Sequence, residues 1–135
     1  MAEIRVICDT DVLIDYFDTQ QSRHAATKKT LEGKIGLDQV VLSAITKMEL
    51  ISGASNKAEL TAITKKLDRF SVVLLDPAIT NLSFTLMQTY KLSHGLAIPD
   101  CLIAATALKT GLEFFTYNTK DFKFIAKLKL YKYDL

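Results

Sequence analysis

The sequence predicts an α/β fold, namely a three-layer α/β/α domain with a mostly parallel central sheet of four to five strands. Short apolar segments rich in β-branched residues alternate along the chain with segments of helical periodicity. Strands that are separated by helices form a parallel sheet with helices on both faces. The chain has 135 residues, 49% of them hydrophobic, which is enough for one domain with its own core. We therefore expect residues 1–135 to form a single domain.

The first third of the chain predicts one strand and two helices. Residues 4–8 are short, apolar and β-branched, and the strand that they predict stops at Asp9. Apolar residues recur at helical spacing over residues 12–17. A polar helix is predicted over residues 21–34, where two glycines end it.

The middle of the chain predicts two strands with two helices between them. Residues 40–42 are the second strand, and Ser43 caps a helix that runs to about residue 52. Asn56 opens the next helix. Its apolar residues at helical spacing are Leu60, Ile63, Leu67 and Phe70. Residues 71–75 are the third strand, which ends at the Asp76-Pro77 pair.

The last third predicts two helices and at least one strand. A helix over about residues 78–92 is followed by a glycine that breaks it. Pro99 lies in the first turn of the next helix, where its missing N–H costs nothing, and this helix runs to residue 109. Residues 113–116 are the fourth strand, and residues 130–133 are a weaker candidate for a fifth.

Composition excludes several classes of protein. No stretch approaches the roughly 18 uninterrupted apolar residues that a membrane span needs, so we expect no membrane association through a span. An aspartate interrupts the first apolar run, which argues against a secretory signal. Two cysteines, Cys8 and Cys101, are too few for a disulfide framework or a zinc cluster. We expect both to be small buried hydrophobic residues in a protein of the reducing cytoplasm.

The formal net charge of +2 conceals an uneven distribution along the chain. Residues 1–20 carry five acidic side chains and one arginine, whereas residues 120–132 carry five lysines and one aspartate. Such a division suits a protein that holds a cation at one place and a polyanion backbone at another. Charge on solvated helix faces explains the same pattern equally well, so position has to decide.

Four acidic residues occupy comparable positions relative to the predicted strands. Asp9 follows the first strand, Glu49 lies in the helix after the second, Asp100 is in the first turn of a helix, and Asp121 follows the fourth strand. In a parallel sheet these positions share the edge at which the strands end. Thr46 lies one turn before Glu49 on the same helix face.

Each of these acids also has an ordinary structural explanation. Asp100 favours a helix N-terminus electrostatically, and Asn118 or Thr119 can cap a short helix that includes Asp121. Glu49 can be a solvated helical residue. Asp9 is different because an apolar strand precedes it, and a buried unpaired carboxylate is costly. The joint placement of the four favours a functional site.

Four blocks of the sequence resemble the signature blocks of PIN-domain ribonucleases, and most closely those of VapC-type toxins from toxin–antitoxin pairs. They are residues 7–15 (ICDTDVLID), 43–50 (SAITKMEL), 98–107 (IPDCLIAATA) and 116–122 (TYNTKDF). They occur in the order of the family and span nearly the whole chain. Each block alone is a weak signal, whereas four in order are a strong one.

The resemblance implies an acidic pocket that binds Mg²⁺ or Mn²⁺. Its metal-binding and catalytic residues would be Asp9, Glu49, Asp100 and Asp121, with supporting positions at Thr10, Asp11, Thr46, Thr116 and Asn118. Asp11 falls where many relatives carry serine or asparagine, and either supporting the metal ligands or capping the following helix would suit it. The resemblance also implies RNA as substrate, a small VapB-like antitoxin that also binds DNA, and a homodimer.

The implied chemistry is hydrolysis of RNA phosphodiesters by a metal-activated water. A divalent ion lowers the pKa of its bound water and neutralises charge that develops on the phosphate. Mg²⁺ and Mn²⁺ prefer oxygen ligands, and carboxylates supply them. Neither His24 nor His94 lies in a metal-ligand spacing, and we assign His94 to a loop.

Three C-terminal lysines either line an RNA path or form a solvated face: Lys120, Lys123 and Lys127.

Three other readings compete with a nuclease. Asp9 and Asp11 after an apolar strand also fit the start of a haloacid-dehalogenase-type phosphatase, but only 19 residues follow Thr116, which leaves no space for the rest of that site. A receiver domain would use Asp76 as its phosphorylation site and Lys120 beside it. A PIN-like scaffold that only binds its partners is the third reading, and the complete set of acids argues against it.

Overall fold

A computed structural model describes residues 4–134 as four strands and six α-helices around one sheet. The strands are β1 (Val6–Cys8), β2 (Val40–Ser43), β3 (Ser71–Val73) and β4 (Glu113–Phe115). The helices are α1 (Thr10–Phe17), α2 (His24–Lys29), α3 (Ala44–Ser52), α4 (Lys57–Leu67), α5 (Pro77–His94) and α6 (Ile98–Thr110). Glu3, counted above in the acidic start of the chain, lies outside these residues.

The sheet has the strand order β3-β2-β1-β4, and every pairing is parallel. Neighbouring residues of β1 point into different cores, because successive side chains of a strand alternate between its faces. Ile7 packs with α5 and α6 residues on one face, while Val6 and Cys8 pack with α1 and α4 residues on the other. The three-layer α/β/α architecture predicted from the sequence is confirmed.

The helix starts follow the capping rules that the sequence suggested. The Ser43 hydroxyl accepts a hydrogen bond from the Thr46 N–H at 3.0 Å and caps α3. Asn56 caps α4 in the same way. Asp76 caps α5 by accepting from the Ile79 N–H at 2.8 Å.

Both cysteines are buried and free, as expected from the sequence. Cys8 lies in the core between the sheet and α1, whereas Cys101 lies in the core formed with α5 and α6. Burial raises the pKa of the Cys8 thiol, which keeps it protonated and unreactive. Within residues 4–134, no helix is both long and apolar enough to span a membrane.

The structure corrects four of the predicted elements. The polar helix begins only at His24, because the Asp18 side chain closes a turn by accepting from the Gln20 N–H. It continues as a π-helical turn over Thr30–Ile35, which ends where Gly36 takes a positive φ of 93°. The third strand stops at Val73, beyond which Leu74 is 73% exposed.

The other two corrections concern α4 and the C-terminus. Leu60 was expected on the apolar face of α4 but is 41% exposed, and the helix ends at Leu67, before Phe70. The candidate fifth strand is reduced to a single parallel bridge between Phe114 and Leu130. Beyond it, the rings of Tyr131 and Tyr133 pack on Phe115 at centroid distances of 5.0 and 5.2 Å.

One ion pair fixes the polar side of α1 to the start of α2. Asp15 is only 4% exposed, and its Oδ2 accepts from the Arg23 Nε at 2.6 Å, while the Arg23 guanidinium lies 4.2 Å from the centre of the Tyr117 ring. We expect Asp15→Ala to lower the free energy of unfolding by about 1–3 kcal/mol, because a charged hydrogen bond at a buried carboxylate is lost. Urea unfolding measures this. Asp68→Ala removes an exposed carboxylate from the end of α4 and should change stability little.

Candidate active site at the carboxyl edge of the sheet

Asp9 is held between β1 and α1 by hydrogen bonds of its N–H and of both carboxylate oxygens. Its N–H donates to the Phe115 carbonyl at 2.8 Å, which ties the end of β1 to β4. Its Oδ1 accepts from the Thr10 N–H and its Oδ2 from the Thr116 hydroxyl, both at 2.8 Å. The residue is 6% exposed. Burial, and then the charge of Asp11, raise the pKa of Asp9 to about 7.

Glu49 is joined to the Asp9 end of α1 through the Thr10 hydroxyl. The Thr10 hydroxyl lies 2.5 Å from Glu49 Oε1, to which it donates, and 3.1 Å from the Thr46 Oγ1. Thr46 is fully buried, and its Oγ1 also accepts a hydrogen bond from the Ser43 hydroxyl at 3.3 Å. Thr46 and Glu49 therefore lie on the same face of α3, as predicted, and this face points towards α1. Glu49 itself is exposed, so its carboxylate is accessible.

Asp100 and Asp121 line one pocket beside this network. The pocket has a volume of about 300 Å³. It is also lined by His94 of α5 and by Lys120 and Phe124, which follow β4 in the sequence. Burial raises the pKa of Asp100, and the negative charges of Asp121, Glu49 and Asp11 raise it further, in that order. Asp121 is exposed and lies in the short 3₁₀ turn Thr119–Asp121. Asp100 is therefore close enough to Asp9, Glu49 and Asp121 to interact electrostatically with each of them.

Asp11 holds the segment that follows β4. Its Oδ2 accepts from the Tyr117 N–H at 3.0 Å, across 106 positions of sequence. The cap of α1 is Asp9 and not Asp11, so the capping role considered for Asp11 is wrong. The Asp11 Oδ1 is buried without a hydrogen-bond partner, and burial is the main cause that raises the pKa of this carboxyl.

Thr116 and Asn118 shape the turn that leads to Asp121. The buried Thr116 hydroxyl donates to Asp9 and accepts from the Asn118 N–H at 3.0 Å, so one side chain links two parts of the site. Asn118 stands at the cap position of the 3₁₀ turn, but its side chain makes no capping hydrogen bond. Its exposed amide remains accessible.

The three predicted RNA-binding lysines do not share one surface. Lys120 lines the pocket of Asp100 and Asp121. Lys127 has a positive φ of 69° and lines a different groove, between α5 and α6. Lys123 is exposed. The sequence run of lysines therefore divides over the surface, because the chain winds through turns after β4.

The acids of the site have no cationic partner within ion-pair distance among residues 4–134. The three ion pairs of this part of the chain join Arg23 to Asp15, Lys34 to Asp134 and Arg69 to Asp38. In the same residues, no three acidic, histidine or cysteine side chains converge into a complete ligand set. Like charges keep carboxylates apart, and Mg²⁺ retains several waters and needs only one or two carboxylates. The oxygen donors, together with the raised pKa values of Asp9 and Asp100, therefore fit a divalent cation.

His94 and Phe124 line the pocket of Asp100, a position that sequence patterns did not identify. His94 was assigned to a loop, but it is the last residue of α5 and lines the pocket of Asp100. Its ring stacks on Phe124, which is 30 positions later in the sequence. No spacing rule connects two aromatic side chains from separate elements, so only the fold reveals the pair.

Comparison with known proteins places the chain in a family. Residues 6–128 match the PIN domain. Ribonuclease VapC1 of Methanocaldococcus jannaschii is 29% identical over 134 residues, which cover 98% of this chain and 89% of that protein. A toxin-antitoxin complex from Klebsiella pneumoniae contains a chain with a TM-score of 0.74 and 33% identity, over 91% of this chain and 94% of that one.

VapBC-1 from nontypeable Haemophilus influenzae shares the fold, with a TM-score of 0.77 at 24% identity over 95% of this chain and 97% of that one. The family match spans all four strands and all four of the acids at the carboxyl edge of the sheet. The chain therefore belongs to the PIN-domain family, and it resembles the VapC-type toxins within that family.

Proposed function

We propose that this protein is a Mg²⁺- or Mn²⁺-dependent endoribonuclease and the toxin of a toxin–antitoxin pair. The observation that carries the proposal is the group of acids at the carboxyl edge of the sheet. There Asp100 experiences the negative charges of Asp121, Glu49 and Asp11, and no cationic side chain of residues 4–134 pairs with it. Similarity to Ribonuclease VapC1 supports the same activity.

In this proposal Asp9, Glu49, Asp100 and Asp121 hold the metal. A bound divalent ion would supply an activated water and neutralise charge on the phosphate. The chain's own contribution is orientation. Thr116 and the Thr10 N–H fix both oxygens of Asp9, and the Thr10 hydroxyl fixes Glu49. Asp11 supports the site indirectly, because it anchors Tyr117 ahead of Asn118 and Asp121.

The proposed substrate is RNA, and Lys120 is the lysine best placed to contact its phosphates. Lys120 shares the pocket of Asp100 and Asp121, so its ammonium group can contact a phosphate next to the one that is cleaved. Lys123 and Lys127 are exposed farther along the chain, and we propose weaker contributions from them.

A small VapB-like antitoxin is the proposed protein partner, together with a second copy of this chain in a homodimer. Several solved relatives are toxin–antitoxin assemblies, which supports the first partner. A groove beside Glu49 is lined by the apolar side chains Ile14, Phe17, Leu50 and Ile63. Acidic side chains, Asp18 and Glu59, border it. The lining of this groove suits an apolar antitoxin peptide that also carries basic residues. We propose that the protein acts in the cytoplasm.

Mapping of RNA ends after brief induction tests the proposed activity. We expect the wild type to produce discrete new ends and Asp100→Asn to produce none. Identical cut patterns from both would contradict the nuclease assignment. The purified protein should also leave p-nitrophenyl phosphate intact, whereas a phosphatase would hydrolyse it.

Divalent cations should stabilise the folded protein. Mg²⁺ or Mn²⁺ binds the native site and not the unfolded chain, so we expect the midpoint of thermal unfolding to rise with metal concentration. At a metal concentration one hundred times Kd, the free energy of unfolding should increase by about 2.7 kcal/mol. Differential scanning calorimetry measures this. Asp9→Asn should lose most of the shift. An equal shift in Asp9→Asn and wild type would show that the cation binds elsewhere.

A further inference from the structure

We propose that His94 and Phe124 form a platform on which an unpaired RNA base stacks next to the acidic site. The proposal rests on the nuclease function proposed above and specifies its substrate as single-stranded RNA. His94 would act as a substrate-binding residue through the face of its imidazole ring.

The two rings are already arranged as a stack. Their centroids are 4.0 Å apart and their planes differ by 8°, which is nearly parallel. Tyr90 contacts both rings edge-on, at 5.2 Å from Phe124 and 5.9 Å from His94. Because it contacts both rings edge-on, Tyr90 lies beside the stack, and the His94 side chain is exposed.

The platform is held in place from three directions. The Ser93 hydroxyl lies 2.8 Å from the His94 Nδ1, which fixes the rotation of the imidazole. The Tyr90 hydroxyl accepts from the Ala126 N–H at 3.0 Å and so ties α5 to the segment that carries Phe124. Gly95 ends α5 directly after His94 with a φ of 65°, a left-handed conformation that suits glycine. A preorganised aromatic surface loses little entropy when a ligand binds.

The position of the platform indicates its ligand. His94 and Phe124 line the same pocket as Asp100, Asp121 and Lys120. Aromatic and histidine rings stack with unpaired bases, and a nearby lysine contacts the phosphate backbone. His94 is exposed, so its imidazole is accessible to a base. A base inside a duplex is already stacked on its neighbours and cannot use this surface, which favours single-stranded RNA.

Binding of a fluorescent RNA tests the platform without requiring cleavage. The probe is a single-stranded oligoribonucleotide with 2-aminopurine, mixed with the full chain in Ca²⁺ buffer, and its intact length is checked after each measurement. We expect His94→Leu to raise Kd about five- to tenfold and to reduce the quenching of 2-aminopurine, because a stacking contact is lost. His94→Phe should keep Kd within about twofold of the wild type, because the aromatic face is retained.

Controls separate this proposal from the nuclease proposal. Leu92→Ala, at a position on α5 that is 99% exposed and outside the pocket, should leave Kd unchanged. The platform is overturned if His94→Leu binds like the wild type, if His94→Phe is as weak as His94→Leu, if duplex RNA binds equally well, or if the wild type does not bind the probe. Wild-type protein that binds through His94 but never cleaves RNA in Mg²⁺ or Mn²⁺ would refute the nuclease proposal alone.

Discussion

Asp100→Asn is expected to lower the rate of RNA cleavage by roughly 10²- to 10⁴-fold, because interactions of a catalytic metal contribute several kcal/mol to the transition state. The substitution is nearly isosteric and removes a charge from a carboxyl group that makes no hydrogen bond among residues 4–134. The fold should therefore persist. Initial rates of cleavage of a labelled RNA, with Mg²⁺ or Mn²⁺ present, measure the effect.

The same variant should be more stable than the wild type in the absence of metal. In the native state, burial and neighbouring charges raise the pKa of Asp100, and burial raises the pKa of Asp9 to about 7. At pH values above the ordinary carboxyl pKa and below the raised pKa of these groups, the native state binds more protons than the unfolded state. The free energy of unfolding therefore falls as the pH rises through this range. We expect the metal-free wild type to unfold at lower temperature at pH 8 than at pH 5, and Asp100→Asn to weaken this dependence.

Asp68→Asn is the control for both measurements, because Asp68 is an exposed carboxylate at the end of α4. It should leave cleavage and the pH dependence of unfolding unchanged. Cleavage by Asp100→Asn at the wild-type rate would place the active site elsewhere. If the variant lost activity but was less stable than the metal-free wild type at pH 8, its loss of activity would reflect damage to the fold.

Phe114→Ala is expected to lower the free energy of unfolding by about 3–5 kcal/mol, which is a large fraction of the stability of a domain. Phe114 is fully buried in β4, pairs with Ile7 of β1, and packs against Phe122 with ring centroids 4.8 Å apart. Truncation leaves a cavity between the sheet and the turn that carries Asp121. The unfolding midpoint should fall by at least about 10 °C, as calorimetry would show.

Phe84→Ala makes the same truncation on α5 at a side chain that is 60% exposed. We expect it to change the unfolding free energy by less than about 1 kcal/mol, because little apolar surface leaves a packed environment. Similar losses in Phe114→Ala and Phe84→Ala would contradict the assignment of Phe114 to the core. They would instead point to an interface that covers Phe84.

The positions of the site residues could be predicted from sequence because they follow local rules. Asp9 comes directly after an apolar strand and Asp100 lies in the first turn of a helix that contains Pro99, so their places in the chain determine their places at the sheet edge. Ser43 caps α3 as predicted for the same reason. A cap depends on residues three positions apart, which the sequence displays directly.

Pairings between distant segments could not be predicted in this way. Asp11 accepts from Tyr117, and His94 stacks on Phe124, because the fold brings separate elements together. Asp15 was counted with the acidic start of the chain, yet it pairs with Arg23 and does not join the site. The candidate fifth strand is only a single bridge between Phe114 and Leu130, beside which two tyrosine rings pack on Phe115.

The sequence by itself determined the α/β class, the parallel sheet and the acids at its carboxyl edge, because hydrophobic periodicity and helix caps act over a few residues. Only the tertiary structure decided which acids interact, since their pKa values depend on burial and on charges from other elements. It also divided the C-terminal lysines, placing Lys120 beside Asp100 and Lys127 in another groove.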